Sequence, residues 1–434
     1  MSSMPGGLKG ALRGEWPVFM CGFRPFFLLT AVSAVLMMAG WLLMLRGVLP
    51  AGMPGGSLLW HAHELLFGFV TAAVAGFVLT AVPEFTRTAS PPRSALVHMT
   101  LLWLAARLTY LLAGSWPTPI GAWPAALCNL ALWILLLKEV LPRVWNAPQR
   151  LHVSFAWAIA ALALLQLGFF VALGLGGTPL VGTPLAWLYL SVGVVMMLII
   201  IATSRVSMSV VNGLVEHGHP DRQQTEEVGY LARPPRRNLA IVTIGICSLT
   251  EFFLGHDIIT GWTALAAAAA MLNLLNDWHI GRPLFTRWAL MLYASYWLIA
   301  LGYGLMGAAW LGAPLLPSAG RHLLTAGAMG LSIFAIMVVV SRIHAGLWLD
   351  RRRWLPITAA LLVVAALLRA AAGIYALAPW MTLLHAASGL LWAACFAAWL
   401  AMNWAVLSGP RSDGQSGCAE PLAEGEGHGG GCSV

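Results

Sequence analysis

The sharpest chemical signal in the chain is Trp60-His61-Ala62-His63-Glu64, within a sequence that holds 12 histidines. Neutral imidazole is a common ligand for haem iron, copper and zinc. On a helix, residues two apart point about 200° away from each other, so His61 and His63 face different neighbours and do not chelate one ion as a pair. They serve two cofactors, or one is a ligand while the other donates a hydrogen bond. Glu64 stands at i+3 from His61 on the same face, where a carboxylate orients an imidazole or carries protons. An HxHE string alone is weakly specific. Its weight depends on where the chain puts it.

The composition supplies that context. Of 434 residues, 59% are hydrophobic and 9% charged, with 24 Lys and Arg against 16 Asp and Glu. Soluble domains carry about 25% charged residues, so a water-soluble enzyme is excluded and a polytopic membrane protein is expected. Apolar runs of about 20 residues, long enough to span as helices, fall near 26–45, 58–82, 94–113, 121–141, 152–173, 185–204, 238–254, 257–275, 284–311, 321–341, 355–375 and 380–407. The predicted fold is an all-α bundle of about twelve transmembrane helices. It forms one domain over 1–407, with halves 1–204 and 238–407 joined by a loop at 205–237, followed by a disordered tail at 408–434. The first run lacks a small-residue cleavage site and reads as a retained helix. The halves show no convincing sequence repeat.

Charge bias orients the bundle. With the N-terminus inside, 20 of the 24 basic residues fall on the inner side, so both termini are expected in the cytoplasm. Basic residues spread over short connections in this way mark orientation and not a nucleic-acid surface. His61, His63, His256, His322 and His385 then lie at similar depth near the outer face, on separate elements. A single interfacial histidine more often meets water or headgroups. A set is harder to dismiss, because Glu64, Glu251 and Arg321 lie at comparable depth and ionisable groups in a membrane default to functional sites. Glu64 and Glu251 are the candidate proton carriers.

At the inner face, Ser341-Arg342-Ile343-His344 ends the tenth helix and Thr203-Ser204-Arg205 the sixth. Such arginines commonly snorkel and complement helix C-termini; beside a membrane cofactor, Arg205 and Arg342 can pair with haem propionates. Arg107, well inside the third helix, needs a partner, while Arg369 reads as snorkelling. The six cysteines form no CxxC pair, so neither a disulfide framework nor a thiolate zinc site is expected. No Walker A motif or nucleophile elbow occurs.

Phe23-Arg24-Pro25-Phe26-Phe27, the Trp60–Glu64 string with Phe67-Gly68, Thr80-Ala81-Val82-Pro83, Arg282-Pro283-Leu284, the segment from His322 to Gly330 with Arg342 and His344, and the His385 to Trp392 spacing together resemble the NnrS family. The likeness spans Phe23 to about Trp404. One departure lies at the end of the sixth helix, where Ser204-Arg205-Val206-Ser207-Met208-Ser209 keeps the arginine but loses the proline and aromatics of the family pattern. The resemblance implies a multi-pass protein of the bacterial inner membrane, tied to denitrification and nitric-oxide stress. It implies haem b, with copper as a second metal, and His61, His63, His322, His344 and His385 as ligand candidates, the first, second, third and fifth for metal. It leaves two classes open. One is an oxidoreductase acting on nitric oxide or metal-nitrosyl species, fed by a quinol or cytochrome. The other is a secondary transporter that exports a metal or nitrosyl complex; twelve helices in two halves suit that plan too. A sensor or assembly factor with a structural haem is a third reading.

Overall fold

The computed structural model describes residues 10, 15–49, 52–117, 120–178, 181–212 and 230–418. His217, His219, His428 and Cys432 lie outside them. Among the described residues, twelve helices are long and apolar enough to cross a membrane: α1 Phe23–Leu45, α2 Gly56–Thr86, α3 Arg93–Ser115, α4 Trp123–Asn146, α5 Val153–Gly174, α6 Pro184–Val211, α7 Pro234–Leu254, α8 Ile258–Trp278, α9 Arg287–Trp310, α10 Pro317–Ile343, α11 Trp354–Ala371 and α12 Tyr375–Ser408. Each expected span is present, and the described residues contain no sheet. The ends labelled outer and inner below follow the charge bias.

Two helix ends run further than hydropathy suggests. The second helix continues through Pro83 to Thr86. The sixth reaches Val211, so Arg205 lies within it and not at its end. Its extra turns are polar but not unsupported. Ser207 donates to the Tyr230 hydroxyl at 3.2 Å, and the Asn212 side chain exchanges hydrogen bonds with the Tyr230 backbone at 3.1 and 3.0 Å. The turn between α7 and α8 is as tight as Gly255-His256-Asp257 predicts. Gly255 takes φ +67°, and Asp257 caps α8 by accepting the Ile259 N–H at 2.8 Å.

The interior belongs to α2 and α10, whose most apolar windows are 94% and 78% buried while that of α7 is 22%. Both helices widen to π geometry immediately after His63 and His322, over Glu64–Val70 and Leu323–Met329. Widening disturbs the regular pairing of N–H with C=O, and hydrocarbon supplies no water to repair it. Each widened stretch therefore receives a tryptophan. The Trp103 indole donates to the Gly68 carbonyl at 3.0 Å, and the Trp392 indole to that of Ala326 at 3.1 Å.

The chain ends meet at the inner face. Arg24 is fully buried and its Nη1 donates to the carbonyls of Pro17 at 3.2 Å and Gly409 at 2.7 Å, tying the start of α1 to the end of α12. Residues 409–418, part of the segment expected to be disordered, are packed here. Arg411 is buried, pairs with Asp413 and donates to the His344 carbonyl at 3.0 Å. The expectation of no disulfide is corrected at one place, since a disulfide joins Cys21 to Cys418. The two lie 397 positions apart, and only the folding back of the tail brings them together, which spacing along the chain does not reveal.

Hydrogen bonds inside membrane proteins contribute about 1 kcal/mol. Trp103→Phe and Trp392→Phe should each lower stability by about that amount. Hydrogen exchange should speed up selectively within Glu64–Val70 for the first and Leu323–Met329 for the second. Uniform protection in both variants would show that the indoles do not hold the widened turns.

Candidate functional site

Near the outer end, α1, α2, α6, α10, α11 and α12 enclose a cavity of about 350 Å³, within the range of cofactor pockets. His61, His322 and His385 line it together with Arg321 and Arg369, among walls that include Met38, Leu66, Phe69 and Val192. Three of the five expected ligand histidines thus meet around one volume, contributed by α2, α10 and α12. They line a space and do not converge on a point: among the described residues no three His, Cys, Asp or Glu side chains are grouped to hold one ion.

Each cavity histidine is prepared differently. His322 Nδ1 lies 2.7 Å from the Ser318 carbonyl. A carbonyl only accepts, so the Nδ1 proton is donated there and the neutral ring keeps its Nε2 lone pair for the cavity. Metal-bound histidines are oriented in this manner. His61 stacks on Trp41 with ring centroids 4.2 Å apart, and its Nδ1 has no hydrogen-bond partner. His385 makes no hydrogen bond among the described residues.

The two cavity arginines also differ. Arg321 is answered on its far side by Glu251, through Nη2 to Oε1 at 2.5 Å and Nη1 to Oε2 at 3.3 Å, and lies 3.5 Å above the Tyr189 ring. Arg369 is largely buried, lies within electrostatic reach of all three cavity histidines, and has no hydrogen bond or ion pair among the described residues. A guanidinium in a membrane interior without a counter-charge is costly. Arg369 is the site residue that the sequence reading passed over as a snorkelling side chain. Its depth was the available signal: fifteen residues into α11 from the inner side, it stands about 22 Å up the helix, level with the histidines.

His63 turns the other way. The Trp133 indole, a donor only, bonds Gln166 Oε1 at 2.6 Å, so the Gln166 amide donates to His63 Nε2 at 3.1 Å. The ring proton must then sit on Nδ1, which donates to Glu64 Oε1 at 2.9 Å. Both ring nitrogens are occupied by protein partners, and Phe169 stacks on the ring at 4.7 Å. Glu64 does not line the cavity; its carboxylate lies 3.4 Å from Arg107, the partner that the buried arginine required. Arg107 also donates to Asn129 at 2.6 Å. The helical offset that put Glu64 on the face of His61 is overridden by this counter-charge.

The inner-face candidates do not reach the cavity. Along α10, His344 stands roughly 30 Å from His322 at 1.5 Å per residue. Its Nε2 lies 3.3 Å from Glu84 Oε2. Burial, with Arg411 nearby, pushes the ring down to about 4, so it is neutral near pH 7 and this contact is a hydrogen bond to the carboxylate. Arg342 donates to the Trp348 carbonyl at 3.0 Å, and Arg205 to that of Leu151 at 3.4 Å. His98, His256 and His279 are exposed.

Removing one member of a buried ion pair costs about 3–5 kcal/mol. Glu64→Gln should therefore act chiefly on stability, by about that amount, and the double variant Glu64→Leu/Arg107→Leu should recover much of the loss in a detergent unfolding assay. A Glu64→Gln variant as stable as the parent would show that the Arg107 contact carries no weight.

No curated protein matches the chain. A family model described as NnrS protein matches residues 17–411, a span that takes in α1 to α12, the cavity and the packed part of the tail. The chain therefore belongs to the NnrS family, and is a membrane-spanning protein connected with nitric-oxide stress.

Proposed function

We propose that the outer cavity holds a haem and that the protein acts there on nitric oxide or its metal adducts. The observation that carries this reading is the pairing of His322, with its free Nε2, and Arg369, with no counter-charge among the described residues, on one cavity. A haem answers both needs, since its iron takes a neutral imidazole and its carboxylates take a guanidinium. The apolar walls suit the macrocycle, and three histidines spread around a volume suit a large flat group better than a bare ion. Copper, as a second metal, has His61 and His385 available.

When bound, the haem supplies an iron that binds nitric oxide and exchanges electrons. The chain's own residues do the rest. Ser318 fixes the His322 tautomer, Arg369 anchors negative charge, and Trp41 holds the His61 ring. Reduction of nitric oxide also consumes protons. Glu251, bonded to the cavity-lining Arg321, is better placed to relay them than Glu64, which faces α3. Electrons come from a membrane quinol or a cytochrome in this reading.

The α2 and α10 π segments beside the cavity also favour a second reading, because transporters bind substrate where spanning helices are irregular. One set of measurements separates the two. Purified protein should show a haem spectrum, His322→Ala should lose it, Arg369→Gln should bind the haem more weakly, and His63→Ala and His344→Ala should keep it. Colourless, metal-free protein that still lowers nitrosyl-complex levels in vesicles would reject the haem reading in favour of export.

A further inference from the structure

We propose that a second, apolar chamber in the seam between α1, α2, α6 and α10 binds small apolar gas molecules passing between the bilayer and the outer cavity. What lies at the end of that path rests on the haem reading; the chamber itself does not. Its volume is about 60 Å³, room for a diatomic molecule or a xenon atom and too little for an organic ligand. Ala73, Phe77, Val195, Ile199, Ile333 and Met337 form most of its wall.

The chamber is dry by construction. It carries two hydroxyls, on Thr203 and Ser332, and Ser332 already donates to the Met329 carbonyl at 3.2 Å. An ordered water needs two to four polar partners, whereas apolar cavities stay empty of water and accept xenon. The chamber is partly open between helices. Its wall residues sit in the middle of the spans, at the depth of the bilayer where apolar gases concentrate.

Its position relative to the outer cavity is repeated on three helices. Phe69, Val192 and Met329 line the cavity, and Ala73, Val195 and Ile333 line the chamber one turn further along α2, α6 and α10. One turn is about 5 Å, less than the reach of one side chain. Phe69 stands at the junction, its ring 5.3 Å from Trp392 and 5.1 Å from Phe396.

Xenon is the probe, because it reports on the chamber whether or not haem is present. Wild-type protein in nanodiscs should show one saturable site for hyperpolarised xenon. Ala73→Leu and Val195→Met each fill the space and should weaken that site about tenfold or more, with unfolding curves confirming that at least one variant is folded. In haem-loaded protein, bimolecular rebinding of carbon monoxide after a light flash should slow in the same variants. Failure of xenon to bind wild type, or binding untouched by a folded filler variant, overturns the proposal. So does an acyl chain found cross-linked to the wall in the purified protein. Normal xenon binding in protein without haem leaves the chamber standing and removes the haem reading alone.

Discussion

Arg107, Arg321 and Arg369 each carry a guanidinium into the spans of this bundle, and the cost of that charge in hydrocarbon governs what surrounds them. Arg107 is matched by Glu64 and Asn129, Arg321 by Glu251 and the face of Tyr189. Arg369 is matched by no hydrogen bond or ion pair among the described residues. The first two pairs are closed within protein and rigidify α2 against α3 and α10 against α7. The third is an open valence, and it faces the one large cavity that the described residues enclose with three histidines. The same electrostatic requirement is thus met within the protein in two places and, on the proposed reading, by a ligand in the third.

The pair of histidines in α2 shows how strictly the neighbours decide. His61 and His63 differ by two positions, yet one lines the cavity while the other has both nitrogens taken. The direction of every proton in the His63 network follows from Trp133, whose indole can only donate. That single donor orients Gln166, which fixes the tautomer of His63, which presents N–H to Glu64. A carboxylate held by both an imidazole N–H and a guanidinium is a structural anchor, and the network removes His63 and Glu64 from the chemistry of the cavity.

Much of this was legible in the sequence. Twelve spans follow from runs of apolar residues of bilayer length, and the alternation of basic loops put His61, His322 and His385 at one depth before any coordinates. The opposed directions of His61 and His63 followed from helical periodicity. The destinations of those side chains did not, because they depend on Gln166 and Phe169 from α5, more than a hundred positions away. The π segments were equally hidden: each holds a glycine, Gly68 or Gly327, but the indoles that bond them, Trp103 and Trp392, come from other helices. Polar helix ends misled in the other direction: α6 runs on past Arg205 because Tyr230 returns to satisfy Ser207 and Asn212.

The absence of a sequence repeat between the halves conceals a shared spacing. On α2 the cavity is lined by Leu58, His61, Ala62, Leu65, Leu66 and Phe69, and on α10 by Ser318, Arg321, His322, Thr325, Ala326 and Met329. The intervals are identical, each stripe leads into a π segment, and each segment is held by one indole. Two helices of one shape therefore wall the same volume with different chemistry. The α2 stripe is apolar apart from His61, whereas α10 adds a guanidinium, an imidazole and two hydroxyls, and Arg369 on the neighbouring α11 deepens the asymmetry. A symmetric lining would let a flat group enter in either sense. On the proposed haem reading, carboxylates along one edge of the group would turn toward Arg369, because Arg321 is already engaged by Glu251.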